Sequence, residues 1–407
     1  MKKLYLLLIT FILIGCSGSK RYQDETVHGI YKYDSPSVRV LLSSSEQPLD
    51  FTVNTEAILN IGNKKTALLK KGNKITFSAN GSTIQARIGT KSFSGSSIIL
   101  APSKKETFLN FGSLPYRGYF EIKSDNHKTL LINRLSVEDY LKGVLPVEMG
   151  VKNNPDYFEA LKAFAIAART FTLKKIDRKP SHFDLYPDTR DQVYKGMKFE
   201  TSDDILAVEK TKGLVLKHNS TLATIFYHST CGGVLEDAGN IFSFSSNIPY
   251  LNSKIDGNPP YCSISPVFSW VEEYETPEIE KLLLNSNLIS EKERVKDISI
   301  KNKFPSGRVA ELSITLKNNS PLLINAKEIR NIFRRKENGG ILRSLLFDIE
   351  PVFNNGNLLK VTFRGKGSGH GVGLCQWGSM GLSKKGKNYR DILRLYFPNT
   401  EITKEYD

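Results

Sequence analysis

The sequence lacks the features that mark several common protein classes. It contains no internal repeat and no low-complexity tract, and beyond its N-terminal end no stretch approaches the roughly 18 apolar residues of a membrane-spanning helix. Its glycine-rich segment, residues 365–373, contains neither Gly-x-x-x-x-Gly-Lys-Ser/Thr nor Gly-x-Gly-x-x-Gly, so it is not a phosphate-binding loop. Acidic residues are in the minority, 42 against 57 basic ones, which leaves a formal net charge of +15. A basic surface favours an anionic polymer as a partner.

The N-terminus predicts export. Lys2 and Lys3 precede an apolar run at residues 4–14, which is too short to span a bilayer core of about 30 Å. We therefore expect residues 1–16 to be a removable signal. The motif Leu-Ile-Gly-Cys that ends at Cys16 resembles the bacterial lipobox, in which the cysteine is lipidated and becomes the new N-terminus. An ordinary cleaved signal with an incidental cysteine is the alternative.

Lipidation of Cys16 would place the protein in the cell envelope. Each buried methylene of an acyl chain contributes about 0.8 kcal/mol, so two or more chains give a stable membrane anchor. We expect the protein on the periplasmic side, on the outer membrane if the cell is Gram-negative, with residues 17–37 as a flexible linker. The basic charge then fits cell-wall glycan. Nucleic acid would fit the charge too, but an exported lipoprotein rarely meets it, so we expect no nucleic-acid partner.

The remaining sequence predicts an α+β fold that is rich in strands. Residues 38–130 alternate short apolar runs with turn formers and form a β-rich N-terminal region, in which Asn80-Gly81 is a hairpin signal. One helix is predicted from Pro155 to about Lys175, because Asn154 suits the N-cap and proline suits the first helical position. Further helices are predicted at residues 277–285 and 384–394, and residues 291–350 are again strand-like.

Three sequence blocks, in a fixed order, carry the functional signal. Residues 140–149 are Tyr-Leu-Lys-Gly-Val-Leu-Pro-Val-Glu-Met, residues 160–170 are Ala-Leu-Lys-Ala-Phe-Ala-Ile-Ala-Ala-Arg-Thr, and residues 367–378 are Gly-Ser-Gly-His-Gly-Val-Gly-Leu-Cys-Gln-Trp-Gly. Together they resemble the stage II sporulation protein D (SpoIID/LytB) family of peptidoglycan-cleaving lytic transglycosylases. The resemblance covers residues 38–398 and implies a SpoIID-like catalytic region over residues 131–398.

Glu148 is the candidate catalytic residue. Cleavage of a glycosidic bond requires an acid to protonate the leaving oxygen, and apolar neighbours such as Leu145 and Met149 raise the pKa of a carboxyl group toward that task. Most glycosidases use a second carboxylate. The resemblance implies instead that the muramyl C6 hydroxyl attacks the anomeric carbon and that Glu148 is first acid and then base. A surface glutamate at the end of a strand and turn is the alternative.

Five further residues follow from the same resemblance as substrate-binding or supporting residues. Arg169 and Thr170 lie on the helix of the second block, where this chain departs from the family pattern at Phe164 and Phe171. Arg169 is expected to reach a carboxylate or the glycan. Tyr194 lies in a Gln-Val-Tyr-x-Gly block and could stack on a sugar ring or belong to the core. His370 and Gln376 project from a glycine segment that, if extended, would lack side chains on one face and allow close approach. The resemblance implies that His370 positions the substrate or orients Glu148, and a structural histidine hydrogen-bonded in the turn is the alternative.

The chain has three cysteines beyond the signal, and the sequence leaves their state open. In an oxidising envelope Cys231 and Cys262 could form a disulfide, with Cys375 a buried thiol. The three could instead bind zinc with His228 or His370, or do neither. We expect no cofactor and no metal.

Two other cysteine-based sites are weaker alternatives. Some members of the family carry a zinc-linked cysteine and His-Cys pair ahead of Gln-Val-Tyr, but residues 183–191 here are Phe-Asp-Leu-Tyr-Pro-Asp-Thr-Arg-Asp, so that site is not carried over. A cysteine hydrolase built on Cys231 or Cys375 is the other. The Thr-Cys-Gly-Gly context of Cys231 argues for a strand or turn rather than the helix that its spacing from His228 would need.

The resulting functional prediction is a lytic transglycosylase that cuts between N-acetylmuramic acid and N-acetylglucosamine. The resemblance implies stem-peptide-free glycan as the substrate and 1,6-anhydromuramic ends as the product. The alternative is a wall-binding protein without catalysis that enhances a partner N-acetylmuramoyl-L-alanine amidase. Expected partners are therefore glycan strands, the membrane through the lipid anchor, and a cell-wall amidase.

Overall fold

The computed structural model describes residues 33, 35–62, 64–176, 181–242 and 248–407. The predicted signal, the lipidation of Cys16 and most of the predicted linker lie outside the described residues. In the described part of the chain, no helix is both long enough and apolar enough to cross a membrane.

The first twelve strands form antiparallel sheets. A six-stranded sheet has the order β1-β12-β11-β8-β3-β4, a four-stranded sheet has the order β2-β5-β6-β7, and β9 pairs with β10. The predicted hairpin at Asn80-Gly81 is confirmed, because it joins β5 to β6 with Asn80 paired to Thr83. The strands are β1 (Ser37–Ser45), β2 (Leu49–Thr52), β3 (Ala57–Ile61), β4 (Lys64–Leu69), β5 (Lys74–Asn80), β6 (Thr83–Ile88), β7 (Lys91–Gly95), β8 (Ser97–Pro102), β9 (Leu109–Phe111), β10 (Leu114–Tyr116), β11 (Tyr119–Asp125) and β12 (Lys128–Ser136).

Strand β12 leads directly into helix α1 (Val137–Met149), which the sequence analysis did not predict. The Ser136 hydroxyl caps its start by accepting a hydrogen bond from the Asp139 amide at 3.0 Å. Gly150 ends it with a left-handed φ of 63°. The helix contains Gly143 and Pro146, two residues that disfavour helices. Glu148 therefore lies in the last turn of a helix and not at the end of a strand and turn.

The other helices agree in part with the predictions. The predicted helix from Pro155 is confirmed: a 3-10 turn at Pro155–Tyr157, capped by Asn154, continues into α2. The predicted helix at residues 277–285 corresponds to α5. The prediction at 384–394 is only partly right, because one helix ends at Lys384 and the next begins after Asn388, whose side chain caps it. The helices are α2 (Phe158–Ile176), α3 (Ser202–Lys210), α4 (Ala238–Ile241), α5 (Thr276–Asn285), α6 (Ala326–Ile332), α7 (Gln376–Lys384) and α8 (Tyr389–Tyr396).

The remaining strands form four smaller sheets. The pairing that matters for the site is the short parallel one between β15 and β22, which brings residues 227–228 beside residues 374–375. The fold is thus α+β and strand-rich, as predicted. The strands are β13 (Leu214–His218), β14 (Thr221–Leu222), β15 (Tyr227–His228), β16 (Ser269–Glu275), β17 (Val295–Lys303), β18 (Val309–Leu316), β19 (Pro321–Asn325), β20 (Phe347–Asn354), β21 (Asn357–Lys366), β22 (Leu374–Cys375) and β23 (Glu401–Lys404).

Two large hydrophobic cores organise the molecule. The larger core runs from Val38 in β1 through α1 and α2 to Phe397, so the β-rich N-terminal region packs in one core with the helices that carry the three sequence blocks. The second core comprises residues between Trp270 and Phe363. No pattern in the sequence separates the residues of this second core from the rest of the predicted catalytic region.

Candidate active site

The Glu148 carboxylate is held by three chain segments that are far apart in sequence. The Val193 amide donates to Glu148 Oε1 at 2.7 Å. The Tyr227 hydroxyl donates to the same oxygen over a longer 3.4 Å, and Gln376 Nε2 donates to Oε2 at 3.5 Å. Among the described residues, the groups hydrogen-bonded to this carboxylate are thus a peptide N–H, a phenol and an amide. The residue as a whole is partly exposed.

The surroundings of Glu148 favour its protonated form. Burial raises the pKa of Glu148 above its usual range, and the hydrogen bonds from Val193, Tyr227 and Gln376 offset this effect in part because they stabilise the carboxylate. A carboxyl group in this state keeps its proton to a higher pH than an ordinary glutamate does, and it still has partners for the anion that remains. These are the properties of a general acid that then becomes a base.

The loop before α3 supplies the Val193 amide, and Gly143 of α1 allows it to approach. A Cβ at position 143 would lie 2.5 Å from the Gly196 carbonyl oxygen and 2.7 Å from the Tyr194 ring. Gln192 fastens the loop to α2, since its Oε1 accepts a hydrogen bond from the Thr172 hydroxyl at 2.8 Å. The Gln-Val-Tyr block thus positions a main-chain donor for Glu148.

The glycine segment brings Gln376 to Glu148 by close backbone packing. Gly373 has a φ of 74°, and a Cβ there would lie 2.2 Å from the Phe226 carbonyl oxygen. This contact lets β22 pair with β15, which places Tyr227 and the first residue of α7, Gln376, on the same carboxylate. The segment is not extended, because Gly371 also has a positive φ, of 85°. The close approach predicted from the glycines is made by the protein's own backbone.

Comparison with known proteins agrees with this arrangement. Residues 125–218, which span α1, α2 and the loop that holds Glu148, match the family model described as stage II sporulation protein (SpoIID). A relative of Brachyspira hyodysenteriae, described as an uncharacterized protein, is 32% identical over 297 residues, 72% of each chain. The chain belongs to the SpoIID family.

Two proteins of Bacillus species are also similar to this SpoIID-family chain. The stage II sporulation protein D of Bacillus amyloliquefaciens is 29% identical over 69% of this chain and 77% of its own length. The amidase enhancer of Bacillus subtilis is 29% identical over 65% of this chain, but the match spans only 40% of that longer protein. Residues 262–373, which include the second core, match a domain of unknown function (DUF8618).

Arg169 and Thr170 lie away from Glu148, and of the two partners expected for Arg169, a carboxylate or the glycan, the structure shows the carboxylate. Arg169 is fully buried and reaches a carboxylate at the opposite end of α1: its Nε and Nη2 donate to Glu138 at 2.9 and 2.7 Å. Thr170 is equally buried, and its hydroxyl joins α2 to β13 by accepting from the Leu216 amide at 2.9 Å. Both residues support the scaffold and cannot touch a substrate.

Tyr194 is a core residue and does not present its ring to a sugar. It is 2% exposed, and its ring lies 5.0 Å from that of Tyr140 and 5.8 Å from that of Tyr116. Its hydroxyl donates to Asn133 Oδ1 at 3.0 Å. Of the two interpretations that the sequence left open, the structure supports the core tyrosine.

His370 lies on the glycine segment among aromatic rings. Its neighbours are Phe226, Phe242 and His228, whose rings are 6.1, 5.2 and 5.4 Å away. Its Nδ1 accepts a hydrogen bond from the Val372 amide at 3.0 Å. Although part of the side chain is exposed, desolvation lowers the pKa of His370 to about 3, so the ring is neutral at ordinary pH. In the described part of the chain no hydrogen bond joins it to Glu148.

The three cysteines come together behind the segments that carry Tyr227 and Gln376. All three are buried free thiols, and the sulfur atoms of Cys231 and Cys262 are 3.4 Å apart. Burial excludes Cys231 and Cys375 as nucleophiles open to a substrate. The fourth donor in the group is Asp256, which the sequence analysis missed because nothing in its local sequence suggests a ligand.

Proposed function

We propose that this SpoIID-family protein acts on the bacterial cell wall as a lytic transglycosylase with Glu148 as its catalytic residue. The observation that supports the proposal is that Glu148, a partly exposed residue in the first of the three sequence blocks, has a carboxyl group with a raised pKa that is held by three donors. The match to the SpoIID family model over the same residues adds support. The proposed substrate is the glycan of peptidoglycan between N-acetylmuramic acid and N-acetylglucosamine, and stem-peptide-free strands are the preferred form.

The chemistry needs one carboxyl group and no water. Protonated Glu148 gives its proton to the glycosidic oxygen as the bond to the anomeric carbon breaks. The C6 hydroxyl of the same muramyl sugar attacks that carbon, and the Glu148 carboxylate accepts the hydroxyl proton. The product carries a 1,6-anhydro ring, and the glutamate is again protonated.

The three donors serve different stages of this cycle. The 2.7 Å bond from the Val193 amide fixes the direction of the carboxyl group throughout. The bonds from Tyr227 and Gln376 are long in the free protein, and they strengthen when the carboxyl group becomes an anion. They therefore stabilise the intermediate stage in which Glu148 has lost its proton.

The test is product analysis by mass spectrometry. The purified protein is incubated with intact peptidoglycan and with peptidoglycan from which an amidase has removed the stem peptides. We expect 1,6-anhydromuramic products from the wild type, mainly from the denuded glycan, and none from Glu148→Gln. Glu209→Gln, which changes an exposed carboxylate on α3, serves as the matched control and should retain activity. Reducing ends in place of anhydro ends would show hydrolysis and contradict the proposal.

A second candidate function is enhancement of an amidase, which the name of the Bacillus subtilis relative favours. In this case the protein binds glycan and stimulates an N-acetylmuramoyl-L-alanine amidase without cleaving glycan itself. The Glu148→Gln variant separates the two functions. Binding to sacculi and stimulation of the amidase that persist unchanged in this variant, with no anhydro products from the wild type, would support the enhancer.

We also propose that the protein acts as a lipoprotein of the envelope, anchored through Cys16. The proposal is supported by the lipobox-like sequence that ends at this residue. Radiolabelled palmitate should be incorporated into the wild type and not into Cys16→Ala, and the variant should leave the membrane fraction. A variant that stays in the membrane fraction without label would contradict the lipid anchor.

A further inference from the structure

Four donor groups converge in the interior behind the candidate active site. They are three thiols and one carboxyl group, all buried, and their ligand atoms lie within 4.8 Å of one another: Cys231, Asp256, Cys262 and Cys375. We propose that these four residues bind a structural zinc ion. This site is independent of the proposed catalytic function, since it uses none of the groups that contact Glu148.

The distances suit a single tetrahedral metal ion. Zinc binds thiolate sulfur at about 2.3 Å and carboxylate oxygen at about 2.0–2.2 Å, so two ligand atoms of a tetrahedral site lie roughly 3.5–3.8 Å apart. The sulfur atoms of Cys231 and Cys262 are 3.4 Å apart, and the whole group fits within 4.8 Å. The donor set of three sulfurs and one oxygen is one that zinc accepts. Four protein ligands close the coordination sphere, which is typical of a structural rather than a catalytic site.

The ligand atoms are already oriented by a second shell of hydrogen bonds. Asp256 Oδ1 accepts from the Tyr396 hydroxyl at 2.6 Å, and Oδ2 accepts from the Cys262 amide at 3.0 Å. The sulfur of Cys375 receives the amides of Cys231 and Gly378, each at 3.2 Å. Such outer contacts orient metal ligands and tune their basicity. The contact from Gly378 is at the same time the N-cap of α7, so the start of this helix and the proposed ligand share one sulfur atom.

A buried cation offsets part of the charge that the ligands would carry. Three thiolates and one carboxylate exceed the charge of a divalent ion, and an excess negative charge in the interior is costly. The guanidinium of Arg308 is 1% exposed and packs on this cluster, where its Nη2 donates to the carbonyl oxygens of Cys231 and Val234 at 2.8 Å. The guanidinium also interacts with the buried carboxylate of Glu236, so its charge is shared between that group and the cluster.

The site explains how the irregular segments around the active site are fixed. Cys231 follows β15, which carries Tyr227, and Cys375 ends β22, next to Gln376. Asp256 lies in the segment between α4 and β16, and Cys262 lies in the 3-10 turn of that segment, Tyr261–Ile264. An ion bound by all four would join these segments and hold both side-chain partners of Glu148 in place. It would do so without any contact with the substrate.

The first test measures metal content and the ligand set. The full chain is purified under reducing conditions without added metal and analysed by mass spectrometry of the elements. We expect about one zinc per chain, both in the wild type and in Glu148→Gln. Replacement of zinc by Co²⁺ should give the intense visible bands and the sulfur charge-transfer bands of a tetrahedral thiolate site. A reduced protein that contains no zinc and takes up none on titration would overturn the proposal, as would a Co²⁺ spectrum without thiolate bands.

The second test separates Asp256 as a ligand from Asp256 as a hydrogen-bond partner. Asp256→Asn should weaken zinc binding, measured by competition with a chromophoric chelator, by more than the roughly 10–100-fold typical of outer-shell changes. Asp256→Cys, which restores a ligand, should recover binding. Tyr396→Phe removes only the outer contact and should stay within the roughly 10–100-fold range. Equal zinc affinities of the wild type and Asp256→Asn would refute the role of Asp256 as a ligand. If a variant fails to fold, the Co²⁺ spectrum of the wild type decides whether the thiolates bind the metal.

Discussion

Replacement of Arg169 tests the role that the structure gives to this residue. The sequence predicts that it reaches a carboxylate or the glycan, and in the structure its side chain is fully buried and paired with the Glu138 carboxylate. Its guanidinium also donates to the carbonyl oxygens of Leu214 and Val208, at 3.1 and 3.3 Å. We predict that Arg169→Met destabilises the protein strongly and leaves the chemistry of the folded fraction intact.

The magnitude follows from the contacts that are lost. Two charge-assisted hydrogen bonds to Glu138 contribute about 1.5–3 kcal/mol each. Removal of one partner of a buried ion pair costs about 3–5 kcal/mol, because the other charge stays buried without compensation. Glu138 keeps two weaker partners, the Gly213 amide at 3.2 Å and the Tyr406 hydroxyl at 2.6 Å. We therefore expect the free energy of unfolding to fall by about 3–4 kcal/mol.

The assay is denaturant unfolding of the wild type and the variant, with glycan binding and product formation measured at low temperature on the folded protein. Arg190→Met is the matched control, because Arg190 pairs with Asp188 on the surface, where its side chain is 60% exposed. Exposed pairs contribute about 0–1 kcal/mol, so this change should be nearly neutral. The double variant Arg169→Met with Glu138→Gln should recover part of the loss. An Arg169→Met protein of unchanged stability that no longer binds glycan would refute the reasoning.

Three further predictions concern Glu148 and its neighbours. Because burial raises the pKa of Glu148, the contribution of this group to stability is present at low pH and is lost as the pH rises through the folded-state pKa. The free energy lost is about 1.4 kcal/mol for each pH unit by which the folded-state pKa exceeds the unfolded-state pKa. Glu148→Gln should therefore melt above the wild type at pH 7 and not at pH 3, and equal melting temperatures at pH 7 would contradict this. Tyr227→Phe removes a donor that lowers the pKa of Glu148, so the alkaline limb of the pH profile of kcat/KM should move to higher pH. An unchanged alkaline limb would show that Tyr227 does not affect the pKa of Glu148. Gly143→Ala should lower the free energy of unfolding, measured with denaturant, by about 1–3 kcal/mol, because the new methyl group would overlap the Gly196 carbonyl. An unchanged free energy of unfolding would mean that the loop can move away.

Where a capping residue or a proline marks the start of a helix, the sequence alone predicts that helix. The 3-10 turn and α2 begin where Asn154 and Pro155 predict, since a cap and a fixed φ act within one turn. Helix α1 was not predicted, because Gly143 and Pro146 weaken its intrinsic preference. It forms because the side chains of its inner face, such as Tyr140 and Leu141, are fully buried in the main core. The energy of that packing outweighs propensity, and it exists only when the rest of the fold is present.

The candidate site also has some residues that the sequence marks and others that only the fold brings in. Glu148, His370 and Gln376 stand out in the sequence because they lie in contiguous blocks. The donors that Val193 and Tyr227 provide lie 45 and 79 residues from Glu148. The Gln-Val-Tyr block marks the segment of Val193 but not the role of its main-chain N–H, and no local pattern marks the Tyr227 phenol.

The sequence by itself therefore determined the class of the fold and the one carboxyl group on which the proposed chemistry rests. Tertiary structure decided which side chains meet. It paired Arg169 with Glu138, 31 residues away, instead of with a substrate, and it brought Asp256 to the three cysteines. The physical reason is that burial, pKa and coordination depend on the neighbours that packing assembles from distant parts of the chain.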